Sequence, residues 1–228
     1  MEDAFPAILT LRVSIEAILL AGPLGIGLAW LQARSRYPLK TWVDALILLP
    51  LVLPPSVVGY FLVTGLGRRG LLGKLLDERL GVRLVFTPAA AVVASFLVAL
   101  PLVVKTAQPA IESVPRELED VGRTLGLSPV ALFLRVSLPM AWRGVVAGMA
   151  LGFARAAGEF GATLMFAGDI PGRTNTMPIE IFDAYRSGEE GRALVYVALL
   201  TGLSIVVVLV ASQMSRRIGV LHSNEDAR

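Results

Sequence analysis

The chain has 228 residues, 55% hydrophobic and 17% charged, whereas soluble domains average about 45–50% apolar and about 25% charged; with a mean hydropathy of +0.69, this balance excludes an ordinary water-soluble domain and implies an integral membrane chain. A net charge of +3, from 21 Lys+Arg against 18 Asp+Glu, is too small an excess for a nucleic-acid surface. With no cysteine, and His222 in the polar tail as the single histidine, disulfides, thiolate chemistry and Cys- or His-built metal sites are excluded, and neither cofactor nor metal is expected.

Charge-free runs set the predicted elements, because a bilayer core about 30 Å thick needs about 20 apolar residues of helix. The acidic opening Met1-Glu2-Asp3 is no signal-peptide n-region. The first apolar segment therefore reads as a retained span over 8–33, with Arg12 and Glu16 paired at i,i+4. Ala45 to Gly67, between Asp44 and Arg68, predicts a second span over 44–67. Its Pro50, Pro54 and Pro55, like Pro23 and Pro101 elsewhere, break backbone hydrogen bonds that must be satisfied again at membrane depth; a plain kink and a lined pathway are equally good readings. Gly65 to Gly70 satisfies Gly-x-Gly-x-x-Gly but follows a span instead of a strand, so it reads as a glycine turn leaving the bilayer. A third span is predicted over 84–105.

The stretch from Lys105 to Arg143 is too polar to span. Pro115 to Leu125 predicts a short charged helix, ended by Gly126 at a position that takes positive φ. Ser128 and Pro129 then cap and open a second helix, which Leu138-Pro139 is expected to stop. The pair predicts a rigid knob over 115–139. A fourth span follows over 141–168, where Gly144, Gly148 and Gly152 form a strip for close helix packing. Within it Arg155 and Glu159 lie at i,i+4. Charges inside a span are costly and face a bundle interior or a wet cavity, so a gate or pathway role is preferred over a purely structural pair. Restraint of Arg155 suits Glu159 better than anion binding, since like charges repel. A fifth span over 193–215 completes an all-α, polytopic chain.

The knob resembles the EAA loop of ABC importer permeases: Glu-Ala-Ala, three residues, Gly, nine residues, Ile, one residue, Leu-Pro. Here Asp120-Val121-Gly122 is followed by Gly126 and by Val136-Ser137-Leu138-Pro139 at every matching interval, with Asp-Val-Gly for Glu-Ala-Ala and Val for Ile. The resemblance implies a MetI-like permease fold and a cytoplasmic coupling helix seated on an ATPase subunit. The residues it assigns to coupling are Glu119, Asp120, Gly122, Gly126, Leu127, Ser128, Pro129, Val136, Leu138 and Pro139.

Three further blocks, Pro50 to Tyr60, Gly67 to Gly70 and Gly158 to Thr163 with Ile170 to Pro178, resemble the molybdate/tungstate-type permease subunits, and sulfate/thiosulfate permeases share much of the pattern. From this follow a pathway or gate formed by Pro54, Pro55, Arg155, Gly158, Glu159, Phe160, Gly161 and Thr163, and an outer turn, Asp169, Arg173, Thr174, Asn175 and Thr176, touching a binding protein. The expected partners are a second copy in a homodimer, cytoplasmic ATPase subunits, a periplasmic or lipid-anchored oxyanion-binding protein and the lipid bilayer, in a prokaryotic plasma (inner) membrane. Gly73-Lys74 is followed by Leu75, not by the Ser or Thr of a phosphate loop, so ATP chemistry belongs to another chain and no enzyme is expected. An intramembrane enzyme built on Glu159 and Arg155 lacks a nucleophile dyad, and a passive channel needs no ATPase socket. With the knob inside, the N-terminus is expected outside, and Arg34, Arg36, Lys40, Arg216 and Arg217 inside.

Overall fold

In a lipid interior a backbone must satisfy its own N–H and C=O groups, so long apolar runs fold as helix. The computed structural model describes residues 5–35 and 37–222, with backbone alone for Leu80 and residues 214–222. The acidic opening Met1-Glu2-Asp3 and Arg36 lie outside the described residues, as do the side chains of Arg216, Arg217 and His222. Secondary structure among the described residues is entirely helical. In chain order the helices are α1 (Phe5–Arg34), α2 (Lys40–Val52), α3 (Pro55–Leu66), α4 (Leu71–Leu80), α5 (Pro88–Glu112), α6 (Arg116–Thr124), α7 (Pro129–Leu132), a π turn (Phe133–Ser137), α8 (Leu138–Ala157), α9 (Gly161–Phe166), α10 (Met177–Arg186) and α11 (Glu190–His222). Four stretches are long and apolar enough to cross a membrane: Phe5–Arg34, Pro88–Glu112, Pro129–Ala157 and Glu190–Gln213. The bent pair α2–α3 is a fifth if its two helices count as one span.

The centre is a three-helix packing of α1, α5 and α8 through small residues. Ala17, Ala21, Ala90, Ala91, Ala94 and Ala99 are fully buried there, and small side chains let helix axes approach closely. The glycine strip of α8 lies against α5: a Cβ at Gly144 would stand 2.2 Å from that of Ala110. Ser95 Oγ donates to Ala156 O at 3.3 Å, so α8 runs antiparallel to α5. The end of α1 meets the end of α5 where Arg34 reaches Ile111 O at 2.9 Å, so these two run parallel.

Three expectations are corrected. The 44–67 segment is not one straight span: α2 and α3 meet at a bend of 109°. Neither Pro54 nor Pro55 has an N–H, and each drives the residue before it into extended backbone, seen as ψ 144° at Leu53 and 136° at Pro54. The 141–168 segment also breaks. Its long helix ends at Ala157, and after Gly158 to Phe160 the chain restarts as the six-residue α9. Leu138-Pro139, finally, does not stop a helix. The chain passes through the π turn directly into α8, with Leu138 N–H donating to Phe133 O, five residues back. That wider turn accommodates the proline ring and its missing donor, and Pro139 stands in the first turn of α8, where prolines are tolerated.

Candidate functional site

The knob is held by one buried acid. Glu119 is 2% exposed, and its Oε1 accepts from Arg34 Nε at 2.9 Å and from Ser137 Oγ at 2.7 Å. Arg34 Nη2 also donates to Ile111 O and Val114 O at 2.9 and 2.8 Å. One guanidinium thus ties the end of α1, the end of α5 and α6 together, while Ser137 adds the π turn. Asp120, which occupies the first acidic position of the EAA pattern, is exposed and, among the described residues, pairs only with Arg123 on the surface, at 2.7 Å. The helix-turn-helix geometry follows the local sequence. Gly126 has φ +80°, and Ser128 Oγ accepts from Ala131 N–H at 3.3 Å, with Pro129 opening α7. Gly122 is buried where a Cβ would lie 3.2 Å from Leu132 Cδ1 and 3.4 Å from Leu127 Cδ1, so Leu127 packs the two arms together. Val136 and Leu138 are half-buried, whereas Leu118, Val121 and Leu125 project into solvent.

At the opposite end of α8 the two broken spans meet. A Cβ at Gly161 would lie 2.8 Å from Pro55 Cβ, and one at Gly59 would lie 3.0 Å from Ala162 Cα; α3 and α9 therefore touch nearly backbone to backbone. Glu159 sits at the break with its side chain 1% exposed. Its Oε2 accepts from Arg155 Nη1 at 2.7 Å, and its Oε1 accepts Ala162 N–H at 2.8 Å, as a cap on α9. Both oxygens are committed. Arg155 keeps 27% of its side chain exposed. Pro54, Pro55 and Gly158 are exposed, Phe160 packs its ring 5.4 Å from that of Phe182, and Thr163 is buried with its hydroxyl unpartnered.

The turn after α9 divides. Arg173 is exposed, but Thr174, Asn175 and Thr176 are buried and cannot present side chains to another protein from this conformation. Thr174 Oγ1 donates to Gly168 O and accepts Ile170 N–H, both at 3.0 Å, closing the turn on itself. Asn175 Nδ2 donates to Glu180 Oε2, and Glu180 Oε1 meets Arg192 Nη2 at 2.8 Å, fastening the turn through α10 to the start of α11. Asp169 is half-buried, and this burial, then the neighbouring Asp183 carboxyl, push its carboxyl up to about 6.

Sequence reasoning passed over Arg34 as a clamp, Ser137, Glu180 and Arg192. The partner of Arg34 is 85 residues away, beyond any local pattern. Glu180 carried a readable signal, an acid within the apolar turn Met177-Pro178-Ile179-Glu180-Ile181.

Residues 21–220 match the family described as binding-protein-dependent transport system inner membrane component. The chain is 38% identical over 211 residues to the molybdenum transport system permease protein ModB of Escherichia coli K12, covering 92% of each. It is 41% identical over 202 residues to the ModB of Mycobacterium tuberculosis, covering 89% of this chain and 76% of that one. Its fold is similar to that of a bacterial alginate ABC transporter solved in complex with an alginate pentasaccharide-bound periplasmic protein, with TM-score 0.71, 18% identity, and 92% and 77% of the two chains covered.

Proposed function

This chain belongs to the family of binding-protein-dependent transport system inner membrane components, and on that premise we propose that it is the homodimer-forming permease subunit of an inner-membrane importer for molybdate, with tungstate as its close isostere. The substrate reading rests on the two ModB relatives. The mechanistic reading is carried by one observation, the Arg34–Glu119–Ser137 clamp, which couples the knob to the helix bundle.

In this reading the exposed Leu118, Val121 and Leu125 seat in a cleft of the ATPase subunit. Gly126 sets the angle of the two arms, and the π turn makes α7 and α8 one lever, so that a push on the knob is delivered along α8 to the break at Gly158. There α9, capped by Glu159, moves against α3, and Pro54, Pro55, Gly158 and Arg155 line the gate. Arg155 is the cation available to a dianion, while Glu159 positions it. On the outer side the turn around Arg173 meets the oxyanion-binding protein. A closed two-fold pair is the commonest way for a small subunit to enclose a pathway.

The test is uptake of labelled molybdate into vesicles containing the permease, its ATPase and the loaded binding protein. ATP-dependent uptake displaced by tungstate and indifferent to equimolar sulfate is expected. Displacement by sulfate would reassign the substrate, and absence of ATP-dependent uptake of any oxyanion would overturn the importer reading.

A further inference from the structure

Beneath α4, at the end of the bundle away from the coupling knob, lies a cavity of about 540 Å³ walled by Val63, Leu66, Val82, Leu84, Val85 and Phe86. Its polar rim is cationic. Arg83 is neutralised by Asp77 at 3.1 Å, but Arg68 and Arg69, both exposed, have no ion-pair partner among the described residues. A second, more open groove of about 320 Å³ continues from the shared wall residue Leu66 and runs between α2 and α3, lined by Leu46, Leu49, Pro50, Leu53, Phe61 and Leu62 among other apolar side chains. Above the cavity α4 exposes Leu71, Leu72 and Leu75 beside the Lys74–Glu78 pair at 3.8 Å, the composition of a helix lying in a membrane interface. Phe86 has φ +61°, the sole positive value at a non-glycine position among the described residues, and its N–H donates to Phe166 O at 3.1 Å. Such strain persists where the surroundings over-determine it, and it clusters at ligand clamps.

Two guanidinium groups without an ion-pair partner among the described residues, above an apolar hollow continued by an apolar groove along α2 and α3, match an anionic head carrying a hydrocarbon tail. We propose that this cavity and groove bind one anionic glycerophospholipid, with its phosphate between Arg68 and Arg69 and an acyl chain along α2 and α3. A free inorganic oxyanion would satisfy the arginines but leave the apolar walls uncovered, forgoing the burial that favours an amphiphile. The bound chain would lie against α3, one of the two helices at the proposed gate. The proposal rests on the importer reading only for which leaflet supplies the lipid. Binding is measured without ATPase or binding protein, so a failure of uptake and a failure of lipid binding are separate results.

The experiment is native mass spectrometry of the delipidated full chain titrated with dioleoyl phosphatidylglycerol or dioleoyl phosphatidylcholine, with inorganic phosphate as the chainless competitor. Phosphatidylglycerol is expected to bind more tightly than phosphatidylcholine by about tenfold, and the exposed-site double variant Arg68→Gln/Arg69→Gln is expected to abolish that preference. Val82→Trp, which adds bulk to the cavity wall and keeps both charges, should weaken binding of phosphatidylglycerol. Equal binding of the two lipids, an unchanged preference in the arginine variant, or full displacement by inorganic phosphate at concentrations matching the lipid would each overturn the proposal.

Discussion

Glu119 and Asp120 are neighbours with opposite fates, one sealed against Arg34 and Ser137 and the other in water. Truncating the buried acid strands a guanidinium that is itself only 11% exposed, at a cost of about 3–5 kcal/mol. Glu119→Ala should therefore lower thermal stability and abolish ATPase association in a pull-down, whereas Asp120→Ala should leave stability unchanged; equal effects would show that the clamp does not anchor the knob. At Gly126 a Cβ meets nothing within 4 Å, so any penalty is backbone strain. Gly126→Val should reduce stimulated ATP hydrolysis, and Gly126→Asn, which tolerates the left-handed region, should retain more of it. Asp169 adds a pH dependence. Folding raises its pKa from 3.8 to about 6, so the folded state holds this proton more tightly, and the stability it contributes is present at low pH and lost as pH rises through about 6. Melting curves taken on either side of that value should show the change, and Asp169→Asn should flatten it.

At the level of elements, the α5–α8 contact and the α3–α9 contact are built from glycine for different purposes. Gly144 faces the rigid Cβ of Ala110 at a hypothetical 2.2 Å, whereas Gly152 faces the side-chain ends of Ile18 and Val103 at 2.9 Å. Overpacking costs about 1–3 kcal/mol when nothing can move aside, so Gly144→Ala should destabilise the chain more than Gly152→Ala; thermal unfolding in detergent ranks them. The α3–α9 contact joins two helices that begin at breaks, at Pro54-Pro55 and at Gly158 to Phe160. Its polar support is Glu159, whose two oxygens serve Ala162 and Arg155. Glu159→Gln keeps an acceptor for Ala162 but loses the charge facing Arg155, and Glu159→Ala loses both. Transport should fall in both variants, and stability should fall further in the second. Identical melting temperatures would mean that the cap on α9 contributes nothing.

For the whole molecule, α1, α5 and α11 run one way, while α8 and the bent α2–α3 pair return. The coupling knob and the α9–α10 turn consequently lie at opposite ends. In a chain without native cysteine, a cysteine at the exposed Ser187 should react with an impermeant maleimide added outside cells, and one at the exposed Ser128 should react only after permeabilisation. Labelling of both from outside would break the alternation of directions.

Composition and charge-free runs were enough to establish an all-helical membrane chain, and the motif spacing located the two-helix knob, its Gly126 hinge and its Ser128 cap, because capping and left-handed turns are decided within a few residues. The Arg155–Glu159 pair was legible for the same reason, being one helical turn apart. What the linear pattern could not decide is where an apolar run stops being one helix. Pro54-Pro55 bends its segment by 109°, whereas Pro101 and Pro109 lie within an uninterrupted α5. A lost backbone hydrogen bond is tolerated or amplified according to what packs beside it, and beside this bend α9 packs closely on α3. Likewise Glu119 became the anchor and Thr174, Asn175 and Thr176 turned inward because their partners come from distant elements, and burial is a property of those contacts.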